Sequence, residues 1–371
     1  MKFTANTTEL QRGLSKISGV VPSKSTTPIL ECILFSLVND TLTITATDLE
    51  ISITISLQVR GAEDGRIAIP AKRLIDTIRA LPDSSPTFAA DIATNKIRMT
   101  TDNGEFTLTG ENAKDFPSLP QFKGSDQLIL DSSSLKRIIQ RTVFAVSTDE
   151  LRPAMMGVLL EQKGTELLAV STDGHRLVRF VQKLESSSPL NRSIIIPAKA
   201  LTILGKSLDG GESSISINET HVRFTFEKSV LLSRLIDESY PNYETVIPRD
   251  NEKVMTINRE DIIASIRRVG LYASATTHQV RFDLKEGSLT VSAQDIDFGG
   301  EARETIKCDY AGDDLEIGFN SNYVLDILTH LEAEQVSFKL SSPTRAGLIL
   351  PVSSNHEEDV IMLVMPVRLT T

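Results

Sequence analysis

Asp173 and His175 stand two residues apart, and a carboxylate beside an imidazole is the pairing that general acid–base catalysis uses. That spacing turns both side chains the same way only on a strand. The other parts of an active site are missing around them: there is no nucleophile elbow, no Gly-rich phosphate loop and no HExxH-type ligand set. The five histidines are scattered singly, and the two cysteines, Cys32 and Cys308, lack CxxC spacing. Such cysteine usage argues against a zinc site or a disulfide scaffold and for a reducing, cytosolic compartment. We therefore expect no catalytic residue, no metal and no cofactor. Asp173 reads as a turn former whose carboxylate bonds its own backbone.

The segments that position these residues recur. FTANTTELQRGLSKISGVV opens at Phe3, LILDSSSLKRIIQRTVFAV at Leu128 and MTINREDIIASIRRVGLYA at Met255, starts that lie 125 and 127 residues apart. This period is too long for a solenoid and implies three copies of one domain, bounded at 1–122, 123–250 and 251–371. Each copy opens with an amphipathic helix: Leu10, Leu14 and Ile17 in the first, Leu135, Ile138, Ile139 and Val143 in the second, Ile262, Ile263, Ile266 and Val269 in the third. Thr7-Thr8, Ser132 to Ser134 and Asn258 are the expected N-caps. A strand then runs into a turn carrying Asp48, Asp173 or Asp295, and a second strand leads into a second helix. Pro70 and Pro197 sit where a helix tolerates proline, at its first turn. Paired strands close each copy, with Asn103-Gly104 expected as a type I′ hairpin turn. DFPSLPQF (115–122) and SYPNYETVIP (239–248) read as linkers. Every copy is thus an α+β domain.

Charge is unevenly spread. Net charge is −10, which taken alone disfavours nucleic acid. Yet the helices expected at 7–19, 71–81, 132–144, 198–208, 258–270 and 321–331 carry 13 Lys and Arg against 5 Asp and Glu, a balance of +8. The rest of the chain then carries −18. Surface helices often have basic faces; the sharper alternative is one positive helical surface on an acidic body, suited to a phosphate backbone. No helix carries Arg, Asn and Gln in a pattern aimed at base edges, so such contacts would be independent of sequence. The amino terminus has no signal-peptide pattern, and no stretch approaches the ~18 apolar residues of a membrane span.

Features shared by all copies are most simply structural, and those confined to one copy are better candidates for function. Gly174-His175-Arg176-Leu177 occurs only in the second copy. The third ends in VIMLVMPVRLTT, where Pro366 interrupts the strand and leaves Met365 and Val367 near the surface. Exposed methionine suits a peptide groove that accepts several partners.

Taken together, the threefold repeat, TDGHRL (172–177), YPNY (240–243), IGFNSNYVLDIL (317–328) and MPVRL (365–369) resemble the β sliding clamps of bacterial DNA polymerase III, along essentially the whole chain. The resemblance implies a head-to-tail homodimer of six domains, with helices lining the hole and a continuous sheet outside. It implies a non-catalytic ring that encircles duplex DNA and tethers the polymerase. A clamp-loader ATPase opens it, and the polymerase III catalytic subunit, other polymerases and repair proteins insert a short peptide between the second and third domains. Matching motifs carry that peptide site onto Met155, Thr172, Gly174, His175, Arg176, Leu177, Pro241, Val246, Asn320, Tyr323, Val364, Met365, Pro366, Val367 and Arg368. The resemblance likewise implies DNA contacts at Lys24, Arg73, Arg137, Arg141, Arg152, Lys199, Arg267 and Arg268. It implies a ring interface of Phe106 and Leu108 against Leu271 and Tyr272. Thr245 stands where some clamps carry arginine, Thr277 where some carry an aromatic residue, and Pro153-Ala154 replace aromatics seen in some members. A scaffold of triplicated domains without a DNA role would also use the groove, but leaves the helix charge unexplained.

Overall fold

The computed structural model of the chain describes residues 1–124, 126–184, 192–352 and 358–369. Among these it has six α-helices: α1 (Thr7–Ile17), α2 (Ala71–Ala80), α3 (Ser132–Thr142), α4 (Ala198–Ser207), α5 (Arg259–Gly270) and α6 (Ser321–Thr329). Their apolar stripes are buried as the periodicity requires: Leu10, Leu14 and Ile17 on α1 and Ile262, Ile263, Ile266 and Val269 on α5. Val143 departs from the expectation. It lies past the end of α3 in the 3₁₀ turn Val143–Ala145 and is half-buried.

Two of the three expected caps move by one residue. Asn6, not Thr7-Thr8, caps α1 by accepting from the Glu9 N–H at 3.1 Å. Asp131 accepts from the Ser133 N–H at 2.9 Å, so it precedes the serines in capping α3. In both cases the carboxamide or carboxylate lies one residue further back, where its oxygen reaches the second or third helical N–H. Asn258 caps α5 as expected, accepting from Glu260 and Asp261 N–H groups. Pro70 and Pro197 end strands rather than opening helical turns, Pro70 being the residue before α2. The hairpin in the first repeat also differs. Thr101 pairs with Gly104, so Asp102 and Asn103 form the turn, and no residue of the turn has the positive φ that type I′ demands.

The described residues gather into two compact units, one holding 1–136 and 199–235, the other the remainder. In the first unit, a five-stranded sheet runs in the order Arg60–Glu63, Lys2–Thr4, Thr87–Asp91, Lys96–Thr101, Gly104–Thr109. An eight-stranded sheet follows the order Asp126–Asp131, Glu212–Ile217, His221–Phe226, Ser229–Arg234, Ile51–Gln58, Thr41–Thr47, Cys32–Val38, Gly65–Pro70. In the second unit the eight-stranded order is Ile194–Pro197, Gly157–Lys163, Glu166–Thr172, Arg176–Lys183, Glu358–Val364, Gly347–Pro351, Gln335–Leu340, Lys253–Asn258. Its four-stranded sheet runs Gly300–Lys307, Ser288–Asp295, Gln279–Lys285, Leu315–Asn320.

Three repeats make two units because strand pairing crosses the repeat boundaries. Ser229–Arg234 of the second repeat pairs with Ile51–Gln58 of the first, and Glu358–Val364 of the third pairs with Arg176–Lys183 of the second. The middle repeat therefore contributes half of its strands to each eight-stranded sheet. These shared ladders place the turn at Asp173 beside the last strand of the chain.

Candidate functional site

The segment Thr172 to Leu177 is a hairpin turn held from within. The Asp173 Oδ1 accepts from the His175 and Arg176 N–H groups at 2.8 and 2.9 Å. The Thr172 hydroxyl donates to the Arg176 carbonyl at 2.7 Å and accepts from the Gly174 N–H at 3.1 Å. Gly174 sits at φ 89°, where a side chain would be strained, and a Cβ there would lie 2.9 Å from the Arg152 guanidinium. Asp48 and Asp295 make the same backbone bonds in their own turns, to Glu50 and Ile51 and to Asp297 and Phe298. The recurring aspartate is a turn former.

Asp173 and His175 do not form an acid–base pair. The second carboxylate oxygen of Asp173 accepts from Arg176 Nε at 3.1 Å, while the His175 ring stacks on Tyr323 with centroids 5.6 Å apart. Arg176 is the hub beneath them. Its guanidinium also bonds Asp326, donates to the Phe144 carbonyl at 2.8 Å and lies over the Tyr323 ring, 4.9 Å from its centroid. Only 8 % of the residue is exposed. A cation so buried is tolerated because two carboxylates and a carbonyl satisfy its fork of donors. Burial, reinforced by the Asp173 charge, pushes the Tyr323 phenol above its ordinary pKa and keeps it neutral.

The floor and lip come from the carboxyl-terminal strand. Arg176 pairs with Val364 and Leu177 with Leu363 across the ladder. Met365 N–H donates to the His175 carbonyl at 2.8 Å, extending the ladder one step past the strand. Pro366 cannot donate, so the chain turns, and Val367 N–H bonds the Gly318 carbonyl at 2.9 Å. Asn320 caps α6 by accepting from Asn322 and Tyr323 N–H groups and donates to the Thr277 carbonyl at 3.2 Å. It thereby fixes where Tyr323 starts. Thr172, Leu177 and Val364 are buried; Asn320, Tyr323, Pro366, Val367 and Met155 are half-buried; Pro241, Met365 and Arg368 are exposed.

The linker packs behind this turn. Tyr243 is buried in one cluster with Leu159, Val170, Leu177 and Leu363, and Tyr240 and Ile247 pack against it. The Tyr240 hydroxyl donates to the Val170 carbonyl at 3.3 Å. Val246 is left 51 % exposed. An apolar lip of Met365 and Val246, a stacked His–Tyr pair and a rigid floor can hold apolar side chains of an extended peptide. Nothing in the arrangement activates a nucleophile.

The basic positions sort into two groups. Lys24, Arg73 and Arg267 are exposed and make no ion pair with a described residue. The others are engaged: Arg152 with Asp149 at 2.9 Å, Arg268 with Glu304 at 2.7 Å, Arg137 with Glu358 at 2.8 Å, and Lys199 with Asp48. Arg141 departs furthest from the sequence expectation of a displayed cation. It is 8 % exposed, donates to the His330 carbonyl and pairs with Glu332 at 3.0 Å, so it braces the fold. On α1, Lys16 makes the corresponding pair with Asp209 at 2.9 Å.

Phe106 and Leu108 lie on Gly104–Thr109, an edge strand of the five-stranded sheet, with Phe106 38 % exposed. Leu271 and Tyr272 follow α5 and are 82 % and 47 % exposed.

The sequence reading passed over Asp326, Phe144 and His330. Asp326 lies one helical turn beyond Tyr323, and a buried arginine in TDGHRL calls for such a carboxylate. His330 stacks on Phe144 with centroids 4.0 Å apart, a contact no local pattern announces. Among the described residues no cluster of His, Cys, Asp and Glu could hold a metal ion, and no helix is long and apolar enough to cross a membrane.

Comparison with known proteins places the whole chain. Three DNA polymerase III beta subunit family profiles match in order: the N-terminal domain over residues 1–120, the central domain over 129–242 and the C-terminal domain over 244–368. The beta sliding clamp of Pseudomonas putida is 32 % identical over 100 % of both chains. That of Chlamydia muridarum is 30 % identical over 100 % of this chain and 99 % of its own. The crystal structure of a Pseudomonas aeruginosa sliding clamp bound to griselimycin superposes with a TM-score of 0.93 at 32 % identity, covering 100 % of both chains. A Bacillus subtilis DNA polymerase sliding clamp gives 0.91 at 29 % identity, again over 100 % of both chains.

Proposed function

The chain belongs to the DNA polymerase III beta subunit family, the sliding clamps, and on that premise we propose that two copies close into a ring around duplex DNA. Its role is that of a processivity clamp built from three repeated α+β clamp domains. The domains are 1–122, 123–250 and 251–371. The ring is non-catalytic, works in the cytoplasm and is placed on DNA by a clamp-loader ATPase. Its contacts to DNA are to phosphates, without base readout. The free cations Lys24, Arg73 and Arg267 supply the attraction, while Arg137, Arg152, Lys199 and Arg268 must share theirs with acidic neighbours.

Partner peptides, from the polymerase catalytic subunit, other polymerases and repair proteins, occupy the groove of the second unit. The observation that carries this reading is the stacked His175–Tyr323 pair beside the exposed Met365, standing on a turn whose backbone the first repeat shares. His175 and Tyr323 hold an apolar side chain between Leu177, Val364 and Val246, and Met365, Pro366, Val367 and Arg368 border the extended peptide. Phe106 and Leu108 of one copy meet Leu271 and Tyr272 of the other.

The test is retention on DNA of defined topology. The protein is loaded with a clamp loader onto a nicked circle, which is then linearised. Encirclement predicts a long-lived complex on the circle and rapid loss from the linear form. Equal loss from both overturns the ring.

A further inference from the structure

We propose that Phe144 and His330, which lie outside the residues bordering the peptide, are positioning residues for the groove: their stacked rings lock Arg176 in the place from which it carries Tyr323. The inference rests on the groove reading above and deepens it.

The contacts close on themselves. α3 ends at Thr142, and carbonyls at and past a helix end lack an intrahelical partner. Two of them are taken by the groove strand: the Thr142 carbonyl accepts from the Ser171 hydroxyl at 2.7 Å, and the Phe144 carbonyl from Arg176 at 2.8 Å. The Phe144 ring stacks on His330 with centroids 4.0 Å apart and planes 8° from parallel. His330 Nδ1 bonds the Asp326 carbonyl at 2.7 Å; a carbonyl can only accept, so this nitrogen carries the proton. The Asp326 carboxylate then returns to Arg176. The guanidinium is thus held at both ends of one loop of contacts.

The first unit shows what the fold itself requires at these places. Leu14 on α1 matches Ile139 on α3, so Gly19 takes the place of Phe144. The Ile51 N–H bonds the Asp48 Oδ1 as the Arg176 N–H bonds the Asp173 Oδ1, so Ile51 takes the place of Arg176. α4 and α6 start at Ala198 and Ser321, so Ile203 and Ser207 take the places of Asp326 and His330. A Cβ on Gly19 would lie 3.1 Å from Ile203, so the end of α1 meets α4 where the end of α3 meets α6. Ile51 and Ile203 are buried. The flanking ion pair is common to both units, Lys16 with Asp209 and Arg141 with Glu332, and braces the fold. The stack and its polar partners are found in the second unit and not in the first.

Two isoleucines, a glycine and a serine therefore satisfy the fold at this junction. Burying a guanidinium there instead adds little stability over apolar residues, since desolvation offsets the attraction. What it adds is direction. A guanidinium is a planar fork whose bonds run at fixed angles, whereas an isoleucine has no preferred orientation toward its neighbours. The Tyr323 ring lies on that plane, 4.9 Å away at its centroid, and His175 stacks on Tyr323. The Phe144–His330 stack thereby sets the angle of the rings that face the peptide.

Calorimetric titration of the full chain with a synthetic clamp-binding peptide of the replicative polymerase, beside thermal midpoints, tests this role. His330→Ser installs the residue of the first unit, and Phe144→Leu removes the ring but keeps the carbonyl. Each weakens peptide binding by roughly two- to tenfold, the range that one aromatic pair spans. His330→Phe keeps the stack and holds affinity within about twofold of the native chain. Arg176→Lys keeps the charge without the planar fork and weakens binding; in that background His330→Ser causes no further loss, because the stack acts through Arg176. Val291→Ala opens a cavity in the buried core beneath the four-stranded sheet, outside these contacts; it lowers the midpoint and leaves the affinity unchanged. Unchanged affinity in His330→Ser and Phe144→Leu, a His330→Phe chain as weak as His330→Ser, an equal loss in Val291→Ala, or a full further loss in the Arg176→Lys background overturns the positioning role and leaves the groove standing. A native chain that binds no peptide overturns the groove reading and the positioning role with it.

Discussion

The turn at Asp48 and the turn at Asp173 share one backbone and differ in what they can hold. In both, a threonine hydroxyl donates to the carbonyl four residues on, Thr47 to Ile51 at 3.1 Å and Thr172 to Arg176 at 2.7 Å. In both, the residue after the aspartate has positive φ, 80° at Leu49 and 89° at Gly174. The divergence is in side chains. The free oxygen of Asp48 is taken by Lys199 on α4, in an exposed pair. That of Asp173 is taken by Arg176, whose guanidinium reaches on to Asp326 and carries Tyr323 on its face. Glu50 in the first turn becomes His175 in the second, and an exposed charge becomes a stacking surface. The shared frame stabilises the fold, and two substitutions on it make a groove.

Breaking the hub gives the largest effect. Arg176→Ala leaves Asp326 and Asp173 without their cation and costs about 3–5 kcal/mol, read as a lower thermal midpoint together with lost peptide binding. Lys199→Ala, its counterpart, costs less than about 1 kcal/mol, because that pair is half in water. Similar losses at the two sites would show that the turns are not differentiated as described.

Exchanging the positive-φ residues sharpens the comparison. Gly174→Leu costs about 1–2 kcal/mol from the left-handed backbone alone, and it crowds Arg152. Leu49→Gly removes the same strain but adds chain entropy, so its midpoint moves by no more than about 1 kcal/mol equivalent. Denaturant midpoints of the two variants distinguish these cases; a stabilising Gly174→Leu contradicts them.

Next comes the stacked pair. His175→Ala loses a ring contact of about 0.5–1.5 kcal/mol, so peptide affinity falls by roughly two- to tenfold while stability changes little. Calorimetric titration reads the affinity, and an unchanged isotherm would remove His175 from the groove.

The smallest effect is on acid stability. Lys16 and then Arg12 hold the Asp209 carboxyl below the usual carboxylate range. A depressed carboxyl contributes stability above its unfolded pKa of about 3.9 and loses it as pH falls through the folded value. Asp209→Asn should therefore lower the midpoint slightly at pH 7 and leave it unchanged at pH 2. A variant whose deficit persists at pH 2 would show that the pair acts through packing.

Local signals carried most of the fold. Helical periodicity located all six helices to within about two residues, because each buries a continuous apolar stripe. Caps were misplaced by one residue at α1 and α3, since Asn6 and Asp131 compete with neighbouring Thr and Ser of similar capping strength. The grouping into two units was not legible, because ladder partners such as Leu231 and Ile53 lie far apart in the chain and no local pattern pairs them. At the site, subtracting the repeat isolated His175, Arg176 and Met365. It could not reveal that Arg176 is buried or that Arg141 braces the His330 carbonyl, as both depend on long-range neighbours.

Calorimetric titration with a synthetic clamp-binding peptide of the replicative polymerase puts the difference between the two turns to the most direct test. The account predicts one peptide per chain, at least about tenfold weaker binding in the His175→Ala, Met365→Ala double variant, and an unchanged isotherm for Leu49→Ala. Two peptides per chain, or loss of binding with Leu49→Ala and retention with the double variant, would contradict it.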